Sequence, residues 1–151
     1  MSNEKKLIAE KIIEINASTK TVWRAITTDE SVQSFMMGMK PVTTWNKGAT
    51  IEWFGRHEGE EHTMAKGKIV NFAPEELLQY TFFYGGYGHL DIPEHYQIVT
   101  FRLEKLQENK IRLIIQQGDY AVFGEGESYL KHANTFWEQA GNRLKEMCEG
   151  S

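Results

Sequence analysis

Only one cysteine, Cys148, occurs in the 151 residues, so no intrachain disulfide can staple the fold. No apolar run approaches the roughly 20 residues that a membrane-spanning helix needs. No arginine-rich tract or basic patch appears. The 17 Lys and Arg are interspersed with 21 Asp and Glu, for a net charge of -4, which argues against nucleic acid as a partner. The opening "MSNEKKLIAEKI" carries acids and has no long apolar block, unlike a secretory leader. These absences lead to the expectation of a cytoplasmic protein. No repeat, low-complexity tract or linker divides the sequence, so a single domain over 1–151 is expected.

What is present is enough to build a core: 40% of the residues are hydrophobic and 12% aromatic, well above the level of a disordered tail. "KKLIAEKIIEINA" reads as a first strand, with Ile8, Ile13 and Ile15 β-branched. In "STKTVWRAITTDESVQSFMMGM" the period changes. Ser18 is placed to cap a helix carrying Val22, Trp23 and Ile26. Thr28 is placed to cap a second short helix, with Asp29 and Glu30 at its positive end and Gly38 as its stop.

After Pro41 the pattern is of strands, and alternation assigns their inward faces. Ile51 and Trp53 point inward from "ATIEWFGR", and Ala65, Gly67 and Ile69 from "HTMAKGKIVNF". "ELLQYTFFY" turns Leu78, Tyr80, Phe82 and Tyr84 to one side. "YQIVTFRLEKL" turns Val99, Phe101 and Leu103 inward, and "IRLIIQQGD" does the same with Leu113, Ile115 and Gln117. Gln107 to Asn109 reads as the turn between the last two. The end, about Glu127 to Glu149, is one long helix. Leu130, Ala133, Trp137, Ala140, Leu144 and Met147 form its apolar stripe, and Cys148 serves as a packing residue near its end.

Strands in a run with helices set to one side indicate an α+β fold. The expected architecture is a curved antiparallel sheet of six or seven strands around the C-terminal helix, with two short helices after the first strand. Burying the terminal stripe in a curved sheet leaves a hollow where the two walls diverge, and an aromatic-lined hollow suits an apolar ligand. The expected lining is Met36, Trp53, Tyr80, Phe82, Phe101, Ile115 and Phe136, with Gln117 among the polar inward groups. Met36, Met37 and Met39 cluster where flexible thioethers would adapt to varied ligands.

"ASTKTVWRAITTDE", "KGATIEW", "GKIVNFAPEELLQYTF", "VTFRLE" and Trp137 together resemble the START-like, or SRPBCC, superfamily. Within it the sequence is most similar to the family named for the C-terminal domain of the activator of the ninety-kilodalton heat-shock-protein ATPase. The resemblance implies a helix-grip fold around a hydrophobic cavity, as in birch-pollen-allergen-like proteins. It implies a chaperone partner as one function, and cyclase or hydrolase chemistry on polyketide-like or aromatic substrates as another. Where the family usually has a tryptophan early in the second helix, this sequence has Phe35 or Met36.

One stretch, "TFFYGGYGHLDIPEH", has no counterpart in that pattern. Its glycines precede a strand rather than a helix, and no lysine follows them, so it does not read as a phosphate cradle. It reads as an inter-strand connection, with Tyr84, Tyr87 and Leu90 folding over the cavity mouth. His89, Asp91, Glu94 and His95 carry ligand atoms, as do His57 and His62, but neither set has metal-site spacing. No metal and no cofactor is expected. Asp119, His95 and Tyr80 are the candidates for acid-base chemistry, and none is paired by spacing, which argues against an enzyme. Phe54, Met64, Phe83, Ile98 and Ile114 are assigned to the outer sheet face, where a contiguous patch would take a second copy or a chaperone. The leading expectation is a module that binds a small apolar molecule, a lipid or aromatic metabolite.

Overall fold

The computed structural model describes residues 6–150; of the N-terminal stretch read above, 1–5 lie outside them. Strand β1 (Ala9–Ile15) runs into helices α1 (Thr19–Ile26) and α2 (Asp29–Phe35). Strands β2 (Lys40–Val42), β3 (Thr50–His57), β4 (Glu60–Ala73), β5 (Leu77–Tyr84), β6 (Gln97–Gln107) and β7 (Lys110–Gly118) follow, and α3 (Gly126–Glu149) ends the described chain. The strands form one antiparallel sheet in the order β1-β7-β6-β5-β4-β3-β2. With α3 held against the sheet, chiefly along β1, the architecture is the α+β helix grip expected from the sequence. No helix among the described residues is long and apolar enough to cross a membrane.

Local chemistry accounts for most element ends. The Ser18 hydroxyl accepts the Thr21 N–H at 3.1 Å and caps α1. Thr28 holds the N-cap position of α2, but its hydroxyl turns back to donate to the Arg24 carbonyl at 2.6 Å. Asp29 there accepts the Trp45 indole N–H at 2.7 Å. Between β3 and β4, Glu58 and Gly59 both take positive φ, 53° and 82°, as a two-residue hairpin turn requires. Short β2 was not distinguished as a strand by alternation. Its Pro41 sits opposite Trp53 on the sheet's edge, a place where a missing N–H costs no ladder bond.

Bulges at Trp53/Phe54 and Ile69/Asn71 each insert a residue that bends the sheet. The second swings Phe72 inward onto Trp23, ring centroids 5.1 Å apart. The inner face buries Ile51, Trp53, Ile69, Leu78, Phe101, Leu113 and Ile115 against the α3 stripe. That stripe comprises Tyr129, Ala133, Trp137, Ala140, Gly141, Leu144 and Cys148. Leu130 and Met147 lie on its margins, half-buried.

The outer face departs from the expected apolar patch. Phe83 is buried under the stacked Tyr96 ring at 5.1 Å. Between Ile98 and Ile114 runs a row of register partners, Asn71, Gln79, Thr100, Gln116 and Glu10. Within it Gln79 donates to Thr100 at 3.0 Å and Gln116 to Glu10 at 2.6 Å. This polar row divides the apolar side chains that alternation had grouped.

Candidate ligand cavity

Between the inner face of the sheet and α3 lies a cavity of about 300 Å³, at the lower end of the ~300–1,000 Å³ typical of small-molecule sites. Its sheet wall has two rows. Tyr80, Val99 and Gln117 are register neighbours on β5, β6 and β7, and Phe82 with Gln97 form the next row along. The helix wall is Tyr129, Ala133, Phe136 and Trp137, one face of α3 at three-four spacing. Met36 and Met39, from the segment after α2, and Tyr120 complete the lining. The mouth is marked by lining residues that also reach solvent: His132 on α3, and Tyr87, which is 47% exposed.

Of the ten side chains assigned to the hollow from sequence, Met36, Tyr80, Phe82, Tyr84, Tyr87, Gln117 and Phe136 line this cavity. Trp53, Phe101 and Ile115 do not. They are fully buried and consumed by packing: Trp53 lies against Tyr80 and Phe82 at 5.7 and 6.2 Å, and Phe101 against Trp137 at 5.6 Å. Alternation selects the face of a strand. It does not say which positions on that face lie beneath the helix and which lie where the walls part. Gln97 and Val99 share the parity of Phe101 and were available to the same rule. Tyr129, one residue off the assigned stripe, was not.

The loop between β5 and β6 closes the cavity with rings. Tyr87 stacks on Tyr129 at 4.3 Å and meets Tyr84 edge-on at 4.9 Å. His89 stacks on Phe123 at 4.3 Å, with its Nε2 3.0 Å from the Tyr129 hydroxyl. Leu90, expected over the mouth, is instead 71% exposed, and its carbonyl accepts the His95 Nδ1–H at 2.7 Å. Pro93 keeps Ile92 extended, φ -129° and ψ 153°. Asp91 pins the loop to β4 by an ion pair with Lys66 and accepts the Tyr96 hydroxyl at 2.6 Å. Those two partners, Lys66 first, hold its carboxyl below the usual range. His89 and His95 are thus engaged in ring contacts and in hydrogen bonds to the Tyr129 hydroxyl and the Leu90 carbonyl. Among the described residues no three His, Cys, Asp or Glu side chains are grouped as a metal site.

The polar groups inside are few and neutral. The Trp137 indole N–H donates to Gln117 Oε1 at 2.8 Å, and Gln97 Nε2 donates to the His95 carbonyl at 3.0 Å. Burial alone pushes the Tyr80 hydroxyl far above its ordinary range. Burial, aided by Tyr87, does the same to Tyr120. Both are therefore neutral hydrogen-bonding groups at any physiological pH. Of the acid-base candidates only Tyr80 faces the cavity. Asp119 accepts the Leu7 and Ala121 backbone N–H groups, each at 2.8 Å, and so ties down the segment leading into β1. His95 packs against His89 and Phe123.

A family model described as "Activator of Hsp90 ATPase homolog 1-like protein" matches residues 16–149. Among solved structures, a solution structure from Cytophaga hutchinsonii is 32% identical, with a TM-score of 0.79 over 97% of each chain. The solution structure of an Aha1 dimer from Colwellia psychrerythraea is 20% identical, TM-score 0.71, over 94% of this chain and 97% of that one. A crystal structure from Plasmodium falciparum described as an HSP90 activator is 13% identical, TM-score 0.69, over 93% and 94%. None of the curated proteins matches.

Proposed function

The chain belongs to the Activator of Hsp90 ATPase homolog 1-like family, and from that membership together with the cavity we propose that it binds a small, largely apolar molecule within its grip. The observation that carries this reading is an aromatic- and methionine-lined space of about 300 Å³ with a mouth at Tyr87 and His132. A space of that size lined by apolar side chains is costly to leave empty, since each missing contact forfeits dispersion and burial energy. Transfer of an apolar ligand into it would contribute about 25 cal/mol per Å² buried, before ordering costs. Met36 and Met39 let the wall adjust.

Native mass spectrometry of protein purified from its own host tests the reading. The expected result is a co-purifying small molecule, displaced when the cavity is filled by mutation. Protein that emerges ligand-free, and whose fluorescence is unmoved by a panel of lipids and aromatic compounds, would overturn it.

The family description and the activator from Plasmodium support a second reading, a chaperone contact, for which the outer sheet face is the available surface. Pull-down from the host with and without an Ile98→Asp substitution discriminates, since Ile98 is an exposed apolar side chain on that face. Recovery of a chaperone that the substitution abolishes favours contact through the sheet.

A further inference from the structure

The sheet side of the cavity carries hydrogen-bonding capacity that the protein leaves unused. An indole N–H can only donate, so the bond from Trp137 fixes the Gln117 amide with its oxygen toward the indole and its NH₂ free. A carbonyl can only accept, so the bond to His95 fixes Gln97 the other way, with its oxygen free. Tyr80 makes no hydrogen bond through its hydroxyl, and burial is the one influence acting on it. All three side chains are more than nine-tenths buried. Yet among the described residues only Trp53 Nε1 is sealed without a partner. The unused atoms of Tyr80, Gln97 and Gln117 therefore still touch open space; for Tyr80 and Gln117 that space is the cavity, while Gln97 borders both the cavity and a small pocket beneath the β5–β6 loop.

Register places them together. Tyr80 sits beside Val99, Val99 beside Gln117, and Gln97 is two residues from Val99 on the same face. One amphoteric hydroxyl, one donor and one acceptor thus stand on the same sheet wall. No Lys, Arg, Asp or Glu lines the cavity, and its one imidazole, His132, stands at the exposed mouth, so an anionic or cationic head carried in to the sheet wall would be buried without a counter-charge, at prohibitive cost. The opposing wall is built of flat rings, Tyr129, Phe136 and Trp137, which stack on flat ligands.

We infer that this site selects neutral aromatic molecules bearing an oxygen that both donates and accepts, such as a phenol or a hydroxylated aryl ketone, over plain hydrocarbons and over fatty-acid anions. Tyr80, Gln97 and Gln117 are the specificity-determining residues. The inference rests on the proposal that the cavity takes a ligand, and the test separates the two.

Equilibrium dialysis of the full chain against 2-naphthol, 2-methylnaphthalene and 2-naphthoate compares one ring system with three substituents. Desolvation alone favours the methyl compound, so preference for the naphthol has to come from hydrogen bonds. The expected order is naphthol tightest, by about fivefold or more over 2-methylnaphthalene, with naphthoate unbound; a net hydrogen bond is worth roughly that factor. Tyr80→Phe keeps the ring and is expected to lose about fivefold for the naphthol while leaving 2-methylnaphthalene unchanged, which also certifies that the variant is folded. Gln97→Leu is expected to act in the same direction. Equal affinity of the wild type for naphthol and 2-methylnaphthalene would overturn the inference and leave the cavity reading standing. So would a naphthol preference that survives the Tyr80→Phe/Gln97→Leu double variant. Failure of all three probes to bind would overturn the cavity reading and this inference with it.

Discussion

Met37 takes a left-handed backbone, φ 58°, just past the C-cap of α2. The Gly38 N–H then closes onto the Gln33 carbonyl at 2.8 Å, the six-to-one bond of a Schellman ending. Glycine usually fills the position that Met37 holds, because a Cβ there costs about 1–2 kcal/mol. Met37→Gly is therefore expected to stabilise the protein by about 0.5–1 kcal/mol in urea denaturation, the gain trimmed by glycine's extra freedom when unfolded. Gly67 is the opposite case. β4 passes so close to β5 that a Cβ at Gly67 would overlap the Thr81 carbonyl, a backbone group that cannot step aside. Gly67→Ala is expected to cost about 1–3 kcal/mol by the same measurement. Neither position was fully legible in sequence. Gly38 gave the stop of α2 but not the residue that bears the strain, and Gly67 passed as an ordinary inward position because close approach of two strands leaves no trace in alternation.

At the scale of elements, the first strand and last helix are clasped where both end. Glu149 Oε2 accepts the Asn16 backbone N–H at 2.8 Å, and Lys145 donates to the Glu14 carbonyl at 2.8 Å while pairing with Glu149. The Asn16 N–H first, and Lys145 second, hold the Glu149 carboxyl below its usual range. A carboxyl whose folded-state value is depressed contributes stability that is complete above its unfolded value and is lost as pH falls through the folded one. Glu149→Gln is thus expected to lower the thermal midpoint near neutral pH, with the gap to wild type closing as pH falls from the ordinary glutamate value of about 4.3 through the lower folded-state one. A gap that stayed constant across that range would show that the clasp acts through shape rather than charge. The α3 helix itself was readable because three-four spacing survives any tertiary context. So was the inward parity of the strands, from Ile51 to Gln117. The bulges at Trp53/Phe54 and Ile69/Asn71 were not, since an inserted residue looks the same as its neighbours. The second of them is what turned Phe72 inward. Cys148 in the same helix is buried, and burial pushes its thiol up to about 11, consistent with its assignment to packing.

Across the whole molecule, the grip has to hold two walls apart, and Ala133 is where that separation can be tested. It sits on the α3 wall with its small side chain toward the cavity. Ala133→Leu adds three carbons to the space, and cavity filling at a helical site is expected to raise stability by about 0.5–2 kcal/mol. Binding of 2-naphthol is expected to be lost, because the three added carbons take volume that the ring would occupy. The outer sheet face lies on the other side of the sheet and is untouched by the change. If the protein works by holding a small molecule, this variant is more stable and inactive. If it works by contacting a chaperone through the sheet, the variant is more stable and fully able to bind its partner. Thermal unfolding, dialysis and pull-down on one substitution therefore assign the function to the interior or to the surface.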